Sequence, residues 1–212
     1  MPLKATIIPV TAFQQNCVLA WDDASMEATV IDPGGDVATI LAEVAARGLT
    51  LTQILLTHGH IDHAGGADEL REKTGIPVTG PHPADAILMD HLAQQGRAYG
   101  IEGARNLVPD RWLDEGNAIT IAGEHFAVLH CPGHSPGSLV YVSKQLRLAF
   151  VGDVLFQGSI GRTDFPYGDH PALITAIMEK LLPLGDDIAF VCGHGPGSDF
   201  GTERRSNPFL QG

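Results

Sequence analysis

A chain of 212 residues, 44% hydrophobic and 18% charged, can bury a sizeable core without disulfides or oligomerisation, and one domain over 1–212 is expected. Its formal net charge of −12 argues against a nucleic-acid binder, which would rely on clustered Lys and Arg to displace counterions. The opening MPLKATIIPVTAFQQN holds one lysine and a short apolar run broken by Pro9, neither a secretory signal nor a membrane span, so a cytoplasmic protein without a membrane partner is expected.

The first third alternates short β-rich runs with turns: ATIIPV, NCVLAW, and EATVID closed by PGG. A helix is predicted over 36–47, where Val37, Ile40, Leu41 and Val44 share a face. Asp36 is its expected N-cap and Gly48 its C′ stop. QILLT then reads as a buried strand. Helices follow from Ala67 to Thr74, stopped by Gly75, and across PADAILMDHLAQQ. Residues 96–117 carry the least pattern and are expected to make a surface excursion near the mouth of the site. Beyond them AITIA, HFAVLH, LVYVS, LRLAFV and DIAFVC read as strands and PALITAIMEKLL as a helix. Sheet packed on sheet, with helices on both outer faces, is the layered arrangement this order favours.

The three cysteines, Cys17, Cys131 and Cys192, are odd in number and lack any CxxC spacing, so no disulfide framework or thiolate zinc site is expected. Cys131 and Cys192 stand near histidines, which allows a ligand or nucleophile role. The favoured reading is a set of small, buried, reduced thiols at strand ends.

Metal-capable residues gather just after predicted strands: His58, His60, Asp62 and His63 in THGHIDHAGG; His134 in CPGHSPGS; Asp153 in VGDVLF; His194 in CGHGPGS. Half of the ten histidines therefore lie in three glycine-flanked loops, where little side-chain bulk opposes their convergence. The other five, His82, His91, His125, His130 and His170, read as ordinary helix-face, strand-flank or turn residues. Imidazole and carboxylate suit a borderline cation such as zinc, and seven donors suit two ions that share a water acidic enough to be hydroxide at neutral pH. The proposed division is His58, His60 and His134 for one ion and Asp62, His63 and His194 for the other. Asp153, alone on its strand, bridges them. Ser135 and Ser138 read as makers of local backbone hydrogen bonds rather than nucleophiles.

In order and spacing, THGHIDHAGG, HCPGHSPGS, FVGDVLF and VCGHG resemble the metallo-β-lactamase superfamily over nearly the whole chain. The resemblance implies a four-layer αββα sandwich with a binuclear site at one edge, the ligand division given above, and Asp153 as bridge. Within the superfamily GDVLFQGSIGRTDFP and TERRSNPFL are similar to a short, mainly prokaryotic type of glyoxalase II, the hydroxyacylglutathione hydrolases. Zinc β-lactamases of the main subclass carry a cysteine where Asp153 stands, which argues against that activity. Longer glyoxalase II enzymes add a basic C-terminal helical domain that this sequence is expected to lack, and they place a tyrosine near the position of Asp164.

The implied reaction is hydrolysis of a small-molecule thioester such as S-lactoylglutathione, with Asp62 and Asp153 as catalytic residues and Arg162 as substrate contact. Arg204 and Arg205 are lesser candidates for anion contact. Two divalent ions are expected, zinc first, with iron or manganese as alternatives. Persulfide dioxygenases of the same superfamily offer a rival, one iron on His58, His134 and Asp153. Phosphodiester or lactone hydrolysis is a weaker alternative.

Overall fold

The computed structural model describes residues 3–211. Strands β1 (Leu3–Val10), β2 (Gln15–Asp22) and β3 (Glu27–Ile31) pair antiparallel, and α1 (Val37–Ala46) crosses to β4 (Thr50–Leu55), parallel to β3. Two helices, α2 (Ile61–Ala64) and α3 (Ala67–Thr74), lead to β5 (Val78–Thr79), which completes a five-stranded sheet in sequential order. After α4 (Ala86–Met89) and α5 (Leu92–Tyr99) the chain forms β6 (Ala118–Ile121), β7 (Glu124–His130), β8 (Leu139–Ser143) and β9 (Leu148–Gly152). A hairpin of β10 (Leu155–Phe156) and β11 (Ser159–Ile160), helix α6 (His170–Ala176), β12 (Ala189–Cys192), β13 (Ser198–Asp199) and α7 (Phe200–Ser206) follow. The second sheet has the order β13-β12-β9-β8-β7-β6.

Three apolar clusters define the layers. Val18, Ile31, Leu55, Phe126, Tyr141 and Phe150 fill the space between the sheets. Val30, Ile40, Leu70 and Met89 join the first sheet to its helices, and Val140, Val151, Leu173 and Phe200 join the second sheet to its own. The expected αββα sandwich is therefore the observed one. Period-2 alternation produces it: in β2, Val18 and Ala20 face the other sheet while Cys17, Leu19 and Trp21 face the helices, so both faces are buried and the strand reads as continuously apolar. Burial of this kind stabilises by roughly 1.5–3 kcal/mol for each large apolar side chain.

Several local expectations need correction. Asp36 occupies the N-cap position of α1 without capping it: its backbone is left-handed (φ 49°), and its carboxylate accepts the Thr11 N–H at 2.6 Å instead. Gly48, at φ 65°, ends that helix as expected. The helix predicted across 83–95 breaks between α4 and α5, where the His91 ring sits 2.8 Å from the Ile87 carbonyl and the His91 N–H turns to Leu88. The segment 96–117 is the expected surface excursion, mostly exposed and with Tyr99 on a cavity wall, and it is pinned by the buried Ile101, Leu107 and Leu113. Residues 171–182 begin as α6 but pass into a π turn over Ile177–Leu181. His170 starts α6, behind the N-cap of Asp169. Among the described residues no helix is long and apolar enough to cross a membrane.

Candidate metal centre

Parallel strands deliver the site. The chain leaves the carboxyl ends of β3, β4, β9 and β12 at Asp32, the 58–63 loop, Asp153 and His194, while the β7–β8 turn brings His134. The sheets are joined at this edge: the Asn16 amide side chain donates to the carbonyls of Cys192 and Gly195 at 3.0 and 2.9 Å, and Gln15 bridges to His194. Carboxyl ends of parallel strands are where such layered folds gather ligands, because each loop leaves the sheet there with free geometry.

All seven residues singled out in the sequence converge. Donor atoms of His58, His60 and His134 lie within 4.8 Å of one another, as do those of Asp62, His63 and His194. Asp153 stands between the groups: Oδ1 is 3.4 Å from His63 Nε2, and Oδ2 is 3.5 Å from His134 Nε2 and 3.6 Å from His194 Nε2. A single carboxylate thus reaches both sets. Gly193 permits it, since a Cβ there would lie 2.0 Å from Asp153 Oδ1.

Neighbours turn each ring inward. Thr57 Oγ1 donates to Asp32 at 2.6 Å and so accepts from His58 Nδ1 at 3.0 Å; His63 Nδ1 meets Asp32 Oδ2 at 2.9 Å; His134 Nδ1 meets the Arg162 carbonyl at 2.9 Å. With Nδ1 bonded outward, Nε2 of these three rings is turned into the cluster. His60 is reversed, its Nδ1 facing His58 Nε2 at 3.0 Å. Burial and the neighbouring rings hold His58 and His60 neutral, His60 down to about 3. Burial disfavours charge on Asp62 and Asp153, yet the histidines, His63 foremost, outweigh it and hold both carboxyls below the usual range. Burial likewise opposes charge on His63, and the carboxylates of Asp153 and Asp62 overcome it and raise its pKa.

Three of the buried polar atoms without a hydrogen-bond partner are His63 Nε2, His134 Nε2 and Asp153 Oδ1, all in this cluster. Orphaned buried donors and acceptors are rare because each costs desolvation energy. Imidazole lone pairs and a carboxylate oxygen facing one small space are the donor set of a divalent cation, so the residues fit the divalent metals that the ligand motifs imply.

The cluster floors a cavity of about 720 Å3 whose other walls include Phe13, Leu88, Phe156, Phe165 and Tyr167. Arg162 also lines it, but its guanidinium is paired with both oxygens of Asp164 at 2.7 Å and rests on the Phe165 ring. Arg204 and Arg205 do not reach the cavity; they pair with Asp186, which corrects their place as anion contacts. Cys131 and Cys192 are buried, with thiols pushed up to about 12 and about 11 chiefly by that burial, so neither is a thiolate nucleophile. Four residues near the centre escaped the sequence reading: Asp32, Thr57, Asp85 and Tyr167. Asp32 alone carried a signal, since it ends a strand before PGG as the ligands end theirs before glycine.

The sequence profile of the metallo-β-lactamase superfamily matches residues 10–194. "Hydroxyacylglutathione hydrolase GloC" of Haemophilus influenzae is 47% identical over 209 residues, 98% of each chain. The crystal structure of the BLEG-1 B3 metallo-β-lactamase superposes with a TM-score of 0.89 at 38% identity, covering 99% of this chain and 100% of that one. TTHA1623, solved in a di-iron-bound form, superposes at 0.85 and 37% identity, covering 97% and 100%.

Proposed function

The chain belongs to the metallo-β-lactamase superfamily, and from that premise we propose that it hydrolyses a small-molecule thioester such as S-lactoylglutathione at a centre of two divalent ions. His58, His60 and His134 would hold one ion, Asp62, His63 and His194 the other, and Asp153 would bridge. The observation that carries this reading is the reach of the Asp153 carboxylate to histidines of both sets. When bound, the ions supply the Lewis acidity that ionises water at neutral pH and polarises a carbonyl.

The chain's own residues supply the rest. Phe13, Leu88, Phe156 and Phe165 exclude water from the cavity and take the apolar part of a substrate. Asp62 and Asp153 would help to hold the ions and, as hydrogen-bond acceptors, orient the reacting water. Arg162, at the rim, is the proposed contact for a substrate carboxylate, provided Asp164 yields to it. Every carboxylate and imidazole that lines the cavity belongs to the cluster, which leaves no carboxyl or imidazolium free as a general acid. Thiolate departure fits that arrangement, because a thiol of pKa about 8.5 leaves without protonation.

Two comparisons sharpen the alternatives. The di-iron relative makes iron a concrete alternative to zinc at the same positions. A mononuclear iron site on His58, His134 and Asp153 would leave Asp62, His63 and His194 as a second grouped triad without a role, which favours two ions. The B3 relative makes β-lactam hydrolysis the activity to compare. Steady-state rates on S-lactoylglutathione, a β-lactam and a lactone, at one fixed metal content, test the proposal. A kcat/KM for the thioester at least about 100-fold above the others, near 2.7 kcal/mol of transition-state preference, is expected, and a preference for the β-lactam or lactone overturns it.

A further inference from the structure

A buried carboxylate outside every ligand motif lies between the two loops that carry His58, His60 and His134. Asp85 closes a short 3-10 turn, Pro83–Asp85, and is fully buried. Its Oδ2 accepts the Gly59 N–H at 2.7 Å and the Ser135 hydroxyl at 2.8 Å, and its Oδ1 accepts the Gly137 N–H at 2.5 Å. Gly59 separates His58 from His60, and Ser135 follows His134. The approach is close: a Cβ on Gly137 would lie 2.6 Å from the Asp85 carboxyl carbon. Each of these three donors is neutral.

The two halves of the centre differ in charge. Asp62 belongs to one half, and Asp32 lies behind its His63. The other half has three imidazoles whose direct outward partners are uncharged groups, Thr57, Tyr167 and the Arg162 carbonyl, and Asp32 reaches it only through the Thr57 hydroxyl. Asp153 is shared. A cation held by neutral donors in a water-poor site is stabilised by the nearest fixed anion, and a brace between two loops sets the separation of the donors they carry.

We propose that Asp85 is a positioning residue for the all-histidine half of the centre, tying its two loops together and placing a fixed negative charge directly against both of them. This rests on the two-ion reading above. Its consequence is a selective one. Asp85→Asn keeps the shape, removes the charge and turns one acceptor into a donor facing a donor. It should therefore weaken one ion and spare the other, whereas general loosening of the fold would weaken both.

The test is calorimetric titration of zinc into metal-free wild type, Asp85→Asn and His60→Ala. Two binding phases are expected in wild type, one of them absent in His60→Ala. Asp85→Asn should weaken that same phase by about 10–100-fold and leave the other unchanged. Equal weakening of both phases, or no change in either, overturns the proposal. If Asp85→Asn does not fold, Ser135→Ala removes one donor and keeps the carboxylate; it should weaken the same phase several-fold, and an unchanged phase counts against the role. A single wild-type phase that saturates at one equivalent of zinc would refute the two-ion reading separately. Asp85 is then judged on that phase: weakening in both Asp85→Asn and His60→Ala supports it, and an unchanged affinity in Asp85→Asn overturns it.

Discussion

The phenolic oxygen of Tyr167 lies 2.8 Å from Nε2 of His60, while Nδ1 of the same ring faces His58 Nε2 at 3.0 Å. One ring thus looks into the cluster with one nitrogen and is anchored outward by the other. Burial pushes the Tyr167 hydroxyl up to about 12, so near neutral pH it acts as an uncharged hydrogen-bond partner. Tyr167→Phe keeps the ring stacked near Phe165 and removes only that bond. Zinc affinity or kcat should fall about 10-fold with KM little changed. A rise in KM at constant kcat would assign Tyr167 to the substrate instead.

Gly193→Ala tests the geometry of the bridge. The added methyl would sit 2.0 Å from Asp153 Oδ1 and 2.5 Å from His63 Cε1, so both groups must move. Metal analysis of the purified variant should find less than the wild-type content, with far-UV circular dichroism unchanged. Full content would mean that Asp153 does not hold its position through this contact.

Asn207 explains part of the TERRSNPFL tail. It is fully buried, and its side-chain amide donates to Ser159 O and Glu203 Oε2 at 2.9 Å each and to Phe156 O at 3.5 Å. Phe156 and Ser159 line the cavity, so the tail holds a cavity wall. Asn207→Ala should cost about 1–3 kcal/mol through unsatisfied buried carbonyls and raise KM while metal content stays at the wild-type level, as thermal melts and steady-state kinetics would register.

Asp199 gives a pH dependence with a definite sign. It caps α7, accepting the Thr202 N–H at 2.7 Å and hydroxyl at 2.8 Å, and these bonds lower its pKa below the ordinary carboxyl value. A depressed folded-state pKa means the contribution is present above about pH 4, the unfolded value, and is lost as pH falls from there through the lower folded-state value. Asp199→Ala should lower Tm by about 2–4 °C at pH 7, equivalent to about 1 kcal/mol. The gap from wild type should close below pH 4. A constant gap across that range would show that the carboxylate charge is not what stabilises the helix.

Legibility followed the range of the interaction. The ligand histidines and aspartates could be read because each sits in a short glycine-flanked loop after an apolar run, a pattern contained within about ten residues. The longer strands could be read for the same reason, since period 2 is local, whereas the two-residue β5, β10, β11 and β13 are too short to show a period. Tyr167 could not: its place depends on packing against a ring 107 positions away. Asp85 looked like one acid in an amphipathic helix, because its partners Gly59 and Ser135 lie 26 and 50 positions off. The one-turn α2 was hidden inside the ligand loop, where Asp62 and His63 drew attention for their chemistry. Arg204 and Arg205 misled because charge is legible in sequence while the position of Asp186 across the fold is not.

Cleavage of a thioester by two ions on these seven residues can be followed as thiol release from S-lactoylglutathione while metal-free protein is titrated with zinc. No release without metal, activity that saturates near two equivalents per chain, and loss of activity in His58→Ala are expected. Absence of thiol release from protein carrying two ions would rule the reaction out.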